Sequence, residues 1–360
     1  MTTKQAAMAT IAVRQQVFLE RVKSHEATKF DAFLREMDQV IRDALSGDEL
    51  TDFQRTRLEA LLADVDANIA AIQNRYWDRL KTDVIDIAEY QAGFEAATLT
   101  KAVETVNTAF ESVIPSPAQI KTAVLTNPLS VRGPDGGKLL ESFVTDWSAA
   151  QRKAFTGTIR RGYFEGQTNA QMVRAIRGTR ALKYSDGLLS ITKRGADAMV
   201  RTAVQHAASQ ARVETWKSNA DLATEYSWVS TLDNRTTAVC RSLDRKVFKI
   251  GKGPLPPIHI NCRSTTILQL APEFDWLNKG AQRASMNGPV PQDLTYYAWL
   301  KEQTIGFQDE VLGPMRGRLF RDGGLTAERF AALQLDRNFS PMTLAQMKAV
   351  EPLAFFKSGL

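Results

Sequence analysis

Three side chains in one 23-residue stretch have the chemistry to bind a metal, form a disulfide or act as a nucleophile: Cys240, His259 and Cys262. They are both cysteines of the chain and one of its three histidines. A structural zinc site needs four ligands, usually with cysteines paired at short spacing. Here His259 and Cys262 stand three apart and Cys240 makes a third ligand, while the candidates for a fourth are Asp233, Asp244 or His206. A Cys240–Cys262 disulfide would close a loop of about 22 residues and stabilise by roughly 3 kcal/mol. A chain made in a reducing compartment argues against it before release from the cell. A Cys/His nucleophile needs an activated thiolate and an oriented base, and no third member or helix start is evident for it. The reading that needs least is two free thiols and a hydrogen-bonded histidine in a tight loop. On that reading no cofactor and no catalytic residue is expected, with zinc on Cys240, His259 and Cys262 as the alternative.

The rest of the chain must position these residues. At 360 residues and 44% hydrophobic it can form two or three compact units. Its 24% charged residues are ordinary, and a net charge of +6 with pI near 9.2 permits contact with nucleic acid without requiring it. The first 22 residues interrupt every apolar run with charge, so no signal peptide is expected, and no stretch reaches the roughly 18–20 apolar residues of a membrane span.

Hydrophobic periodicity predicts a mainly α protein with a small antiparallel β element (α+β). Phe30, Phe33, Leu34, Met37, Val40, Ile41 and Leu45 recur at helical steps, and Ser46-Gly47 offers a stop. Thr51 and Gln54 read as a capping box opening a second long helix through Leu58, Leu62, Val65, Ile69, Ile72 and Tyr76. Helical pattern extends to about Ser112. The stretch "NPLSVRGPDGGKL" (127–139) reads as a surface loop, and its "GPDGGK" lacks the spacing of a phosphate-binding loop. A second capping box, Thr168 with Gln171, precedes a helix for which Gly178 is the stop. Three runs have strand character: "YSWVS" (226–230), "KVFKI" (246–250) and "STTILQL" (264–270). Beyond Pro272 the pattern returns to helix and loop, with "GPVPQD" (288–293) and "RDGGL" (321–325) as punctuation. The expected organisation is an N-terminal helical partner-binding region (1–112), a basic helical middle (113–225), a β module with the Cys/His loop (226–272) and a helix/loop tail (273–360). Residues 152–201 hold eleven Lys/Arg against three acids (Glu165, Asp186 and Asp197). Arg160, Arg161, Arg174 and Arg177 are the expected DNA contacts, against the alternative of a solvated face or an acidic partner.

Read in series, "RTAVQHAASQAR" (201–212), "YSWVSTLDNRTTAVCRSLDRKVF" (226–248) and "PPIHINCRSTT" (256–266) resemble the phage Mu F-like minor head proteins, the phage head morphogenesis family. "YYAWLKEQTIGFQDEVLGPMRGRLFRDGGLTAERF" (296–330) is similar to the segment that often follows, so the resemblance covers roughly 140–330. It assigns signature positions to Arg201, Trp228, Asp233, Arg235, Cys240, His259, Asn261, Cys262 and Arg263. Two positions depart from it: Thr237 and Ser264 stand where family members commonly carry further cysteines. The signature residues are expected to hold the fold. Asp233 would cap a turn, the three arginines would pin carboxylates or carbonyls, and Trp228 would need a partner for its one N–H.

The resemblance implies a minor structural protein of a tailed-phage head, made in the host cytoplasm and located in the virion. Its expected partners are the portal protein, the scaffolding or major capsid protein and packaged DNA, with several copies per particle and no membrane. An internal protein ejected with the genome is the alternative. The domain is also found fused to toxin domains, but the chain leaves no room for one after "WLKEQ", so an enzyme is not expected.

Overall fold

The computed structural model describes residues 8–47, 55–104, 111–269 and 280–360. The protein is mainly α with a small antiparallel β element, as the periodicity predicts. Helices α1 (Met8–Thr28), α2 (Phe30–Ala44), α3 (Arg55–Val103), α4 (Pro117–Thr126), α5 (Leu140–Phe164), α6 (Asn169–Arg177) and α7 (Leu188–Ser218) come first. The expected capping box at Thr51 and Gln54 lies outside the described residues. The box at Thr168 and Gln171 forms, with both reciprocal bonds, and Gly178 ends α6 at φ 88°. That left-handed angle is why glycine stands there.

The centre of the molecule is α7. From Thr202 to Val213 every residue is buried, so the helix is enclosed on all sides. Small residues (Ala203, Ala207, Ala208 and Ala211) let neighbouring helices approach, and the intervening polar groups each find a partner. Gln205 Oε1 accepts from Gln16 Nε2 at 3.0 Å. The imidazole of His206 bonds Val124 O through Nε2 at 3.0 Å, and Gln210 accepts from Asn127 at 2.8 Å. Arg212 reaches Thr265 Oγ1 at 2.7 Å and Glu95 at 3.3 Å. Thus the "RTAVQHAASQAR" segment is a hub, its polar residues spaced to tie α1, α3, α4 and the sheet around one axis.

Helix α3 is 49 residues long, about 74 Å at 1.5 Å per residue. Its first two thirds share a core with α2, α5 and α7, through residues such as Leu62, Ile69, Val84, Phe155 and Val200. Its last turns enter a second cluster, where Leu99 and Val103 meet Trp216, Tyr226 and Leu268. The first cluster draws buried residues from each of α1 to α7. No helix among the described residues is long and apolar enough to cross a membrane.

All three predicted strands form: β1 (Glu225–Val229), β2 (Val247–Lys249) and β3 (Thr265–Gln269), in the order β2-β1-β3, antiparallel, with Trp228 opposite Thr266. Between β1 and β2 lies a helix the strand reading passed over, α8 (Ala238–Leu243). "GPVPQD", read as punctuation, begins inside a second hairpin of β4 (Gln282–Ser285) and β5 (Gly288–Pro291). Its prolines are tolerated because a two-stranded ribbon leaves outward positions without ladder bonds. The remaining helices, α9 (Tyr296–Lys301), α10 (Ile305–Leu312), α11 (Pro314–Asp322), α12 (Ala327–Leu333), α13 (Leu344–Val350) and α14 (Pro352–Lys357), enclose an aromatic core of Tyr296, Tyr297, Trp299, Phe320, Phe330 and Phe355.

Candidate functional site

Cys240, His259 and Cys262 converge, their ligand atoms all within 4.8 Å of one another. Cys240 lies in the first turn of α8, whose N-cap is Thr237; the Thr237 hydroxyl accepts the Cys240 N–H. The helix start not evident from sequence is therefore present. His259 and Cys262 come from the loop between β2 and β3, closed by a Cys262 N–H bond to His259 O at 3.2 Å. Asn261 makes that turn at φ 60°, in the left-handed region that asparagine tolerates better than most residues. Its N–H bonds Thr202 Oγ1 at 3.2 Å and docks the loop on α7.

The Cys240 sulfur is 3.1 Å from His259 Nε2 and 3.8 Å from the Cys262 sulfur. His259 Nδ1 lies 2.8 Å from Ile260 O. A carbonyl only accepts, so Nδ1 carries a proton and Nε2 is left facing the sulfurs. Side chains of Ser264 and Thr237 also interact with the Cys240 thiol. The two positions that depart from the family pattern thus fall at the same site as the residues that keep it.

Burial pushes the Cys240 thiol well up, and the neighbouring Cys262 sulfur adds to that. Cys262 goes the other way. Burial opposes its ionisation, but hydrogen bonds from Cys240 and His259 and the charge of the imidazole outweigh it. His259 answers in kind: burial disfavours its cation, yet the Cys262 sulfur holds its pKa above the usual value. Although Cys240 is the sulfur bonded to Nε2, the Cys240 S–H and the imidazole's field favour ionisation of Cys262 over that of Cys240.

Around this cluster the signature residues build a frame. Trp228, fully buried, donates Nε1–H to Ser230 Oγ at 3.0 Å, and Ser230 Oγ donates to Cys240 O at 2.6 Å. Asp233 accepts the N–H groups of Arg235 and Thr236, each at 3.1 Å, and a fork from Arg263 at 2.6 and 2.9 Å. Burial alone would raise its pKa; Arg263, Thr236 and the Arg235 N–H outweigh that and hold the carboxyl below the usual carboxylate value. Arg201 turns elsewhere, to Asp197 at 2.9 Å and to Ser24 of α1 at 2.9 Å. Arg235 is exposed, and what it brings to the turn is its backbone N–H.

None of the fourth zinc ligands expected from sequence points into the cluster. Asp233 is held by Arg263, Asp244 by Arg283 at 2.8 Å, and His206 by Val124 O. Two contributors were missed in the sequence. Lys23 of α1, 1% exposed, donates to Gln205 at 2.5 Å and to Cys262 O at 3.3 Å. Arg283 of β4 reaches Asp244 and Leu294 O. Both partnerships span so many residues that no local pattern announces them.

Against known proteins, residues 153–267 match the family described as Phage Mu protein F like protein. The likeness covers about a third of the chain. The matched residues run from within α5 to β3 and include every signature position named above. They stop short of the similarity expected for 296–330. The Mu F-like family is a structural family of phage head morphogenesis. No curated protein and no solved structure matches the chain.

Of the expected DNA contacts, Arg160 pairs with Glu59 at 2.7 Å and Arg177 with Asp38 at 3.1 Å. Elsewhere in the span Arg152 faces Asp66 and Lys193 faces Asp31. Part of the basic surplus is thus used to bind α5, α6 and α7 to acids of α2 and α3. Arg161 and Arg174 are both exposed.

Proposed function

We propose that this protein is a minor structural component of a tailed-phage head, mounted at the portal and acting in procapsid assembly and genome packaging or exit. The observation that carries the reading is the Mu F-like match over 153–267. Their chemistry supports a scaffold. Asp233 and Arg263 are spent on each other, Trp228 is enclosed, and Asn261 serves a turn. On this reading the N-terminal helices meet the portal protein or another head protein. Phe18 of α1 and Tyr90 of α3, both exposed and with ring centroids 5.9 Å apart, offer an apolar contact of the kind helical partners use. The free cations of the basic span face packaged DNA.

An internal protein that leaves with the genome is the second reading, favoured by the same helical, mildly basic composition. Quantitative mass spectrometry of DNA-filled particles, and of particles after triggered genome release, separates the two. Retention in both is the expected result, with a copy number that reflects the symmetry of the mount. Loss on release makes the chain an ejection protein; absence from both overturns the virion assignment.

A further inference from the structure

We propose that Cys240, His259 and Cys262 bind one zinc ion, with the fourth coordination position taken by water or by the hydroxyl of Ser264 or Thr237. Spacing in the sequence fixes no fourth protein ligand and by itself predicts no metal. The geometry changes the weight of the three that exist.

Two sulfurs on one tetrahedral zinc, each at about 2.3 Å, stand about 3.8 Å apart. The Cys240 and Cys262 sulfurs are 3.8 Å apart. This is too far for a disulfide, whose sulfurs bond at about 2.05 Å. It is the edge length of a coordination tetrahedron. The histidine is arranged as zinc-bound histidines are, with the far ring nitrogen donating to a backbone carbonyl so that the near one offers its lone pair. Here Ile260 O is that carbonyl, at 2.8 Å, and Nε2 is the near nitrogen. Its 3.1 Å separation from Cys240 must open to about 3.6 Å on binding, a small movement for a loop side chain. Both sulfurs are buried, at 1% exposure, in a polar rather than purely apolar corner. The Thr237 hydroxyl, which accepts the Cys240 N–H, and the Ser264 side chain are the nearby protein groups with an oxygen to offer. Such a site joins the start of α8 to the β2–β3 loop without a covalent bond and serves in the reducing cytoplasm, where a disulfide does not persist.

The test uses the full chain, purified under reducing conditions, exposed to Zn²⁺ and dialysed. Elemental analysis is expected to find about one zinc per chain. Replacement by Co²⁺ should give thiolate-to-cobalt charge-transfer absorption together with the intense visible bands of tetrahedral cobalt. Cys262→Ala should lose both. Ser264→Cys, which supplies a fourth strong ligand, should slow zinc loss to a chelator by about tenfold or more. Wild-type protein that keeps no zinc, with both thiols titrating as free or joined as a disulfide, overturns the proposal. So does zinc that survives in a Cys240→Ser, Cys262→Ser double variant. Should that variant not fold, an unchanged zinc content and chelator half-time in the single Cys262→Ala variant overturn it equally.

Discussion

Arg283 and Asp244 are 39 residues apart in sequence, each side chain 1% exposed, and joined by two hydrogen bonds at 2.8 and 2.9 Å. Asp244 also accepts the N–H groups of Ser230 and Tyr296, at 2.8 and 2.7 Å. One carboxylate therefore gathers β1, the end of α8, the β4–β5 hairpin and the start of α9. Removing one member of such a pair leaves a buried charge without its partner, which costs about 3–5 kcal/mol. Arg283→Met is expected to lower the unfolding free energy by that amount, read as a lower urea midpoint at unchanged m-value. A loss under about 1 kcal/mol would show that the pair is not the joint described here.

The turn at Asn261 gives a finer test. At φ 60° a residue with a Cβ and no local hydrogen-bonding group costs about 1–2 kcal/mol. Asn261→Ala should lose that much in thermal or denaturant unfolding, and Asn261→Gly little. Equal losses would place the role of this asparagine in its side-chain amide.

His206 predicts a pH response. It is buried and uncharged, its pKa pushed down to about 4 by burial although the bond to Val124 O works the other way. The unfolded chain, with the ordinary value near 6.5, binds more protons between those limits, so stability rises with pH there. The contribution is complete above about pH 6.5 and is lost as pH falls toward about 4, up to roughly 3 kcal/mol. In His206→Gln the slope of unfolding free energy against pH over that window should be shallower by about one proton, near 1.4 kcal/mol per pH unit. An unchanged slope would mean that His206 does not titrate on unfolding.

The basic span makes a quantitative claim about DNA. Each cation that neutralises a phosphate contributes about one unit to the slope of log affinity against log salt. Arg161→Ala with Arg174→Ala should flatten the slope by about two. Arg160→Ala with Arg177→Ala, whose side chains already pair with Glu59 and Asp38, should change it less. If all four replacements together leave the slope unaltered, the span does not face DNA.

What could be read in advance divides by distance along the chain. The Thr168–Gln171 box, the Gly178 stop and the three strands all depend on neighbours within a few residues, and all are present. Asp233 as a turn-former was legible for the same reason. Helix α8 was missed although Thr237 before Ala-Val-Cys is an N-cap signal, because six residues are too few to show a helical period. The β4–β5 hairpin had its sign in Asn287-Gly288, which the two prolines obscured. Lys23 beneath Cys262, Arg283 on Asp244 and the spacing of the two sulfurs depend on how helices pack, and nothing nearby in sequence records that. The cluster's residue types were visible; their distances, on which the choice between metal and bare thiols turns, were not.

The 49-residue α3 passes through both the main core and the cluster around Trp216 and Tyr226, without a break among the described residues. A helix advances about 100° per residue, so an insertion or deletion of one residue in its middle would rotate everything downstream by that angle. Leu99 and Val103 would swing away from the Tyr226 side while Leu58 and Leu62 stayed in place. The helix is in effect a phase-locked shaft. On this geometry α3 accepts change only by substitution or by steps close to whole turns.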